Sequence, residues 1–504
     1  MAGMLRFDMH SDASSPAEVS LEGAYAFGQD GIPIRADLAS DDGQLSCVKR
    51  VPGACGVGLL WPTGQAGRYL LPTTRLPERR EPYALRVELA RAQMARVAQK
   101  REEWGLFDYG GAAELNEQFA AVRGQFLAAL TAADPAEAAR RADEALRDGL
   151  ALGERMALFH ADILLARRKE PAAQTFGCTA DLSADADAYL QRLFGCADFV
   201  HVPTPWKQIE PKEGTHEWEA IDRWMNTARR GRKGVTAGPL LSFEPTQLPE
   251  QLYLWEHDYD ALRDVIYEHI QRVVHRYDQH VQVWNVVSGI HAHNSFNLTF
   301  EQLMELTRMS CRLVKTLAPQ AKVLIELAMP FGEFYARNQR TIPPLLYADM
   351  AVQSGVRFDA FGLPLCMGVG EDGLYVRDLL QLSALLDEFV SLGKPVHVTA
   401  CQVPSDVGPD MHDAWGGQKD PGQAGQWHGP WSERLQAEWL QAVCRIALSK
   451  PFVESVCWRD LADGRAHYLP HGGLCRGDLE PKAAYTELRN FRAGLRRGRR
   501  AKSS

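Results

Sequence analysis

Several carboxylates stand where a folded chain seldom puts them without a purpose. Glu326 interrupts the apolar run V-L-I-E-L-A, and a carboxylate inside such a run needs a partner or a task. Glu244 closes L-L-S-F-E and Asp460 closes C-W-R-D, each at the end of an apolar segment. His291 and His293, in I-H-A-H, and Gln402, in T-A-C-Q, hold comparable positions. Carboxylates grouped with imidazole and amide side chains suit acid–base hydrolysis or hydrogen bonding to sugar hydroxyls. A structural ion pair between Glu326 and Arg459 is the plainer alternative. The H-A-H spacing beside Glu244 or Glu326 offers metal-ligand types, but two loop histidines two residues apart are weak grounds, and no metal or cofactor is expected.

Tryptophan points the same way. Trp415, Trp427 and Trp431 fall in one aperiodic stretch, 410–431, among Gly, Gln and His. A loop of that length is often a functional lid, and indole faces beside amides suit carbohydrate. Tryptophans that pin the loop against the N-terminal region are the equal alternative. The formal charge of −8 gives no reason to expect nucleic acid as a partner. The ten cysteines are scattered without a C-x-x-C pair, the opening residues lack the apolar core of a secretory signal, and no run is long enough to span a membrane. A cytoplasmic protein of two or three domains is expected, its oligomeric state open.

The elements that must position these residues change character along the chain. Residues 1–82 carry short extended segments (19–27, 56–60, 67–71) broken by Gly and Pro, which predicts a small β-rich domain, a sandwich by preference. Residues 83–170 read as a helical connector: 84–100, 115–132, and a third helix that starts at Asp134-Pro135 and breaks near Gly149. A linker is expected at 167–171. From 171 to 496 short apolar strands alternate with helical stretches. The strands are 175–179, 199–203, 234–241, 281–287, 322–327, 358–363, 395–400 and 453–458. Eight such repeats predict a C-terminal (β/α)8 barrel, an α/β TIM fold. A doubly wound sheet would want a glycine-rich phosphate loop after its first strand, and T-F-G-C-T-A-D-L is not one. Residues 497–504 read as a basic tail.

In this order the segments resemble the family 10 glycoside hydrolases, the xylanase-type barrels, over about 175–492. The likeness rests on T-F-G-C-T at 175, W-K-Q-I-E-P-K-E-G at 206 with Trp218 beyond it, V-Q-V-W-N-V-V at 281, F-D-A-F-G-L at 358, G-K-P-V-H-V-T at 393, Trp458, and P-K-A-A-Y-T-E-L at 481. The resemblance implies a glutamate acid/base at 289 and a glutamate nucleophile at 400, where this chain has Gly289 and Ala400. Ser288 stands for an asparagine, Glu244 and Cys366 for two histidines, and Pro205 for a sugar-binding lysine. Retaining hydrolysis needs one carboxyl to protonate the leaving oxygen and another to attack the anomeric carbon. Glycine and alanine do neither.

The reading is therefore a carbohydrate-active barrel whose usual machinery is missing. Its substrate class is β-glycan, an oligo- or polysaccharide. Glu244, Glu326 and Asp460 are candidate relocated catalytic groups, Glu244 and Glu326 flanking the vacated strand-four position at roughly 7–10 Å. Trp206, Asn285, His291, His293, Gln402, Trp427, Trp458 and Arg459 are candidate sugar contacts. Binding without turnover is the first alternative, and a protein-interaction scaffold the second. One open groove shared by Trp206, Glu244, Glu326, Trp458 and Asp460 would speak against the scaffold.

Overall fold

A computed structural model of the chain describes residues 3–9, 20–168, 174–184, 187–328, 331–338, 340–464 and 466–503. Most of the expected 167–171 linker lies outside them. Eight strands in the second part of the chain form a closed, parallel ring: Phe176–Thr179, Phe199–Pro203, Gly234–Gly238, Val283–Ser288, Lys322–Glu326, Ala360–Cys366, Val396–Gln402 and Val453–Trp458. The eighth pairs back onto the first, Trp458 opposite Cys178, so the sheet has no free edge. The third strand resumes as Leu241–Ser242, which carries its pairing with the fourth up to Ser242 opposite Ser288. Most strand residues are buried, as a sheet covered on both faces requires. This is a TIM barrel. Its surrounding helices include Glu219–Arg230, Tyr259–Tyr277, Phe300–Leu317, Leu379–Glu388 and Glu433–Ser449. The Phe300 helix begins with a reciprocal cap between Thr299 and Gln302.

Two smaller sheets precede the barrel. One orders Ala36–Asp41, Gln44–Lys49, Gly3–Asp8 and Tyr83–Ala84, its last pair parallel. The other is built on Gly56–Pro62 and Gly67–Pro72, with Tyr25–Phe27 and Pro33–Ile34 beyond. The sequence reading left out Gly3–Asp8, Ala36–Asp41 and Gln44–Lys49, although Gly3–Asp8 and Gln44–Lys49 alternate between buried and less buried residues. Residue 19 of the expected 19–27 strand lies outside the described residues, and among the rest of that stretch only Tyr25–Phe27 is a strand.

Three helices follow: Leu85–Glu103, Ala113–Thr131 and Pro135–Arg167. The third runs unbroken for 33 residues, capped by Asp134 on Glu137 N. The expected break at Gly149 does not occur. Gly149 is a contact point: a Cβ there would lie 3.1 Å from Gln93 Cγ, and the Gln93 amide donates to Gly149 O at 2.8 Å. The final helix, Ala483–Ser503, continues through most of the basic stretch that the sequence reading set apart as a tail.

The N-terminal sheet is stitched to the barrel. Gln426–Trp427, within the stretch after the seventh strand, pairs antiparallel with Gly67–Arg68 and becomes the edge strand of that sheet.

Candidate functional site

The C-terminal ends of the barrel strands carry the polar groups. Glu326 ends strand five beside Ser288 of strand four, and the Ser288 hydroxyl donates to Glu326 Oε1 at 2.7 Å. A hydrogen bond to an ionised carboxylate contributes about 1.5–3 kcal/mol. The expected ion pair of Glu326 with Arg459 is not among the contacts of the described residues: Arg459 lies over the Tyr468 ring, 3.8 Å from its centre. Burial opposes the Arg459 charge, yet Tyr468, Cys366, Asp460 and Glu244 raise its pKa overall. Glu244, from the end of strand three, thus lies within electrostatic reach of a residue just past strand eight.

Glu244 is partly exposed and its Oε1 lies 3.5 Å from His293 Nε2. Asp460 is held by two donors, Gln402 Nε2 at 2.8 Å and Tyr468 N at 2.9 Å. Gln402 is fully buried, and its amide helps to orient Asp460.

Three of the tryptophan and histidine candidates are packed away. Trp206 stacks on His269 with ring centres 3.8 Å apart, and its Nε1 donates to Glu210 at 3.0 Å. Trp458 is buried and donates to Gly472 O at 3.1 Å. His291 is fully buried between Tyr335 and Tyr347, its Nδ1 2.9 Å from Ile342 O, and burial lowers its pKa to about 4. None of these rings has a face left for a sugar. Trp427 is likewise engaged, donating to Glu154 of the long third helix at 2.9 Å, so this tryptophan pins the loop to the N-terminal region. Trp206, Glu244, Glu326, Trp458 and Asp460 therefore do not share one open groove. Asn285 is buried in strand four with its Oδ1 lacking a partner.

The two positions at which the resemblance implies glutamates have distinct surroundings. Gly289 has φ +64°, and a Cβ there would fall 2.8 Å from Ala328 Cβ. Ala400 is buried in an apolar cluster with Cys366, Val369, Leu374 and Leu469, against which Trp415 and Tyr468 pack.

Residues that the sequence reading passed over occupy the barrel interior. Thr179, His201 and Thr236 are registered neighbours on strands one, two and three. His201 Nδ1 lies 3.0 Å from Thr236 Oγ1. Burial lowers the His201 pKa to about 4, against the opposing pull of the Glu326 charge. The same charge bears on Cys366 and Cys457, on strands six and eight, so the Glu326 carboxylate lies on the inner face of the ring. A Cβ at Gly362 would come 3.1 Å from Glu326 Cβ and 2.8 Å from Thr399 Cγ2, which puts Thr399 on that face too. A sequence signal existed: F-G-C-T, F-V-H-V-P, G-V-T-A-G and V-L-I-E each hold one polar group with an oxygen or ring nitrogen in an otherwise apolar strand.

The sequence profile described as Glycosyl hydrolase family 10 matches residues 203–490, more than half of the chain. This chain belongs to glycosyl hydrolase family 10. Among solved structures, the family 10 barrel described here is similar to xylanase 10B from Thermotoga petrophila RKU-1 in complex with xylobiose, at 15% identity, covering 66% of this chain and 96% of that one, with TM-score 0.48. It is also similar to native xylanase 10B from Thermotoga maritima, at 16% identity, covering 66% and 98%, with TM-score 0.46. A GH10 structure from Paenibacillus barcinonensis matches at 16% identity over 66% and 97%, with TM-score 0.46. In this family 10 chain, the described residues contain no group of three or more His, Cys, Asp or Glu arranged to hold a metal ion. No helix among them is long and apolar enough to cross a membrane.

Proposed function

We propose that this family 10 chain binds a β-glycan at the mouth of its barrel without hydrolysing it by the retaining route. The observation that carries the reading is the condition of positions 289 and 400. Gly289 sits in a left-handed backbone conformation with no room for a Cβ, and Ala400 lies in an apolar cluster. A side chain of glutamate's size and charge suits neither place. Around them the mouth keeps Glu244, Glu326, Asp460, His293 and Arg459, a set able to bond sugar hydroxyls. Two of the three carboxylates already have fixed donors, Glu326 from Ser288 and Asp460 from Gln402 and Tyr468 N, which supports binding over turnover.

Relocated catalysis is the second reading, and one observation favours it: the charges of Glu244 and Glu326 both bear on groups on the far side of the ring. An inverting mechanism needs two carboxyls separated by enough space to seat a water.

Calorimetry with xylo-, gluco- and manno-oligosaccharides, run beside reducing-end assays on the same ligands, tests the proposal. Saturable binding with no product is the expected result. Product formation that disappears in Glu244→Gln or Glu326→Gln would replace it with the second reading. No binding and no turnover on any glycan would favour the scaffold.

A further inference from the structure

The loop after strand seven meets the N-terminal sheet at one short segment, and that segment ends in a histidine. Gln426 and Trp427 pair with Arg68 and Gly67, a strand of two residues and too short to hold by its backbone alone. His428 follows with φ +59°, a left-handed conformation that a Cβ disfavours, so its contacts must hold it there. Its backbone N–H donates to the Tyr69 hydroxyl at 3.4 Å, and its ring lies on the Trp427 indole with centres 4.2 Å apart. Its Nε2 lies 2.6 Å from Glu154 Oε2, on the long helix Pro135–Arg167.

The buried Glu154 carboxylate is divided between its partners. Oε1 accepts from Trp427 Nε1 and from Leu379 N, and Oε2 faces His428. The imidazole is half-exposed and so open to protons from solvent. The groups that face it come from three elements: Glu154 from the long helix, Arg434 and Glu438 from the barrel helix Glu433–Ser449, and Tyr69 from Gly67–Pro72. Burial opposes charge on the ring and so does Arg434, but Glu154 and Glu438 outweigh them and raise the His428 pKa above 6.5. The indole face against the ring also favours the cation. Tyr69 stays neutral, since burial and the Glu154 charge push its hydroxyl far up.

We propose that His428 and Glu154 form a pH-sensitive strap, which holds the loop after strand seven on the N-terminal sheet while the imidazole is charged and slackens when it is neutral. A charge-assisted hydrogen bond is roughly twice as strong as a neutral one, and a buried carboxylate that loses its cation is destabilised. Protonation and fastening therefore favour each other. Well below 6.5 the imidazole is charged in the loose and the fastened loop alike, and the ion pair contributes fully. As pH rises through 6.5 the loose loop gives up its proton first, and the advantage of fastening is lost as pH passes through the raised pKa of the fastened ring. Acid fastens the strap and alkali loosens it. The contact joins the two parts of the chain whether or not a glycan binds at the barrel mouth.

Hydrogen–deuterium exchange of the full chain tests this with the wild type, His428→Gln and Glu154→Gln. Peptides covering 421–431 are read at about pH 6 and about pH 9, corrected for intrinsic amide exchange. Each variant keeps a side chain able to form a neutral hydrogen bond across the contact, and melting curves check that it folds. The His428 ring is half-exposed, so His428→Gln decides by itself if Glu154→Gln does not fold. The expected result is that wild-type protection falls about three- to tenfold from the lower pH to the higher, and changes less than about twofold in either variant. Equal wild-type protection at both pH values would overturn the strap. A pH dependence that survives in His428→Gln would assign the titration to another group, and one that survives in Glu154→Gln would break the pairing. Either result overturns the proposal.

Discussion

Trp427 donates its indole N–H to Glu154 at 2.9 Å, joining a loop of the barrel to the long helix of the N-terminal region. The same carboxylate accepts from Leu379 N at 3.1 Å and lies 2.6 Å from His428 Nε2. Two strand-end segments of the barrel, after strands six and seven, are thereby fixed to one buried side chain.

Removing that side chain leaves buried donors without an acceptor. Glu154→Ala is expected to lower stability by about 3 kcal/mol, and Glu154→Gln by less, since the amide oxygen still accepts. Urea unfolding measures the loss. Limited proteolysis should show new cleavage within 403–431 in the alanine variant. An unchanged midpoint and cleavage pattern would mean that Glu154 does not hold the loop.

Gly289→Glu combined with Ala400→Glu is expected to yield no glycosidase. Left-handed backbone costs a non-glycine residue about 1–2 kcal/mol, and the new Cβ at 289 also meets Ala328 Cβ. At 400 the carboxylate would enter an apolar cluster with Cys366 and Leu469. Aryl-glycoside release and a melting curve on the double variant decide the matter. A stable variant that hydrolyses aryl xylosides would show that the surroundings accept the pair.

Gly362→Ala should disturb the barrel interior between strands five and seven. The added methyl would sit 2.8 Å from Thr399 Cγ2 and 3.1 Å from Glu326 Cβ, so one of them must move. The expected outcome is a several-fold loss of disaccharide affinity measured by calorimetry. Affinity equal to the wild type would place the ligand away from strands five to seven.

His269→Phe should stabilise the protein, and more so in acid. The His269 ring is buried against Trp206, and neither ring nitrogen has a partner. Burial, with Arg272 and His216 nearby, lowers its pKa well below 6.5. As pH falls through 6.5 the unfolded chain takes up a proton at this position while the folded chain does not. Acid therefore costs native stability in the range below 6.5 until the folded pKa is reached. The phenyl ring keeps the stacking and removes both the unpaired atoms and the titration. The expected gain is about 1 kcal/mol at pH 7, rising toward pH 5, read from urea midpoints at both values. A gain that does not change with pH would mean that the folded and unfolded chains bind the His269 proton equally.

The barrel was legible because a parallel sheet covered by helices leaves a strong pattern: short apolar strands separated by helical periodicity, at eight places in order. The helical region was legible for the same reason, and Asp134-Pro135 marked a real helix start. Gly149 misled because a glycine in a helix can mean close packing as easily as a break. Only the position of Gln93, on another helix, tells the two apart. The small sheets were harder, since Ala36–Asp41 is largely exposed and carries no buried face to read.

The sequence by itself determined the fold class, the family-like order of the strands, and the identities Gly289 and Ala400 at two strand ends. It also singled out Glu326, since a carboxylate in an apolar strand is conspicuous without coordinates. Tertiary structure alone decided which polar groups meet. Trp206, His291 and Trp458 are indistinguishable in sequence from exposed sugar contacts, but packing against His269, Tyr347 and the Gly472 segment takes their faces away. His201 and Glu326 lie 125 positions apart in the chain, and only closure of the ring sets their strands in one barrel. Side-chain direction in a barrel depends on register across eight strands, and register is a property of the closed sheet rather than of any one segment.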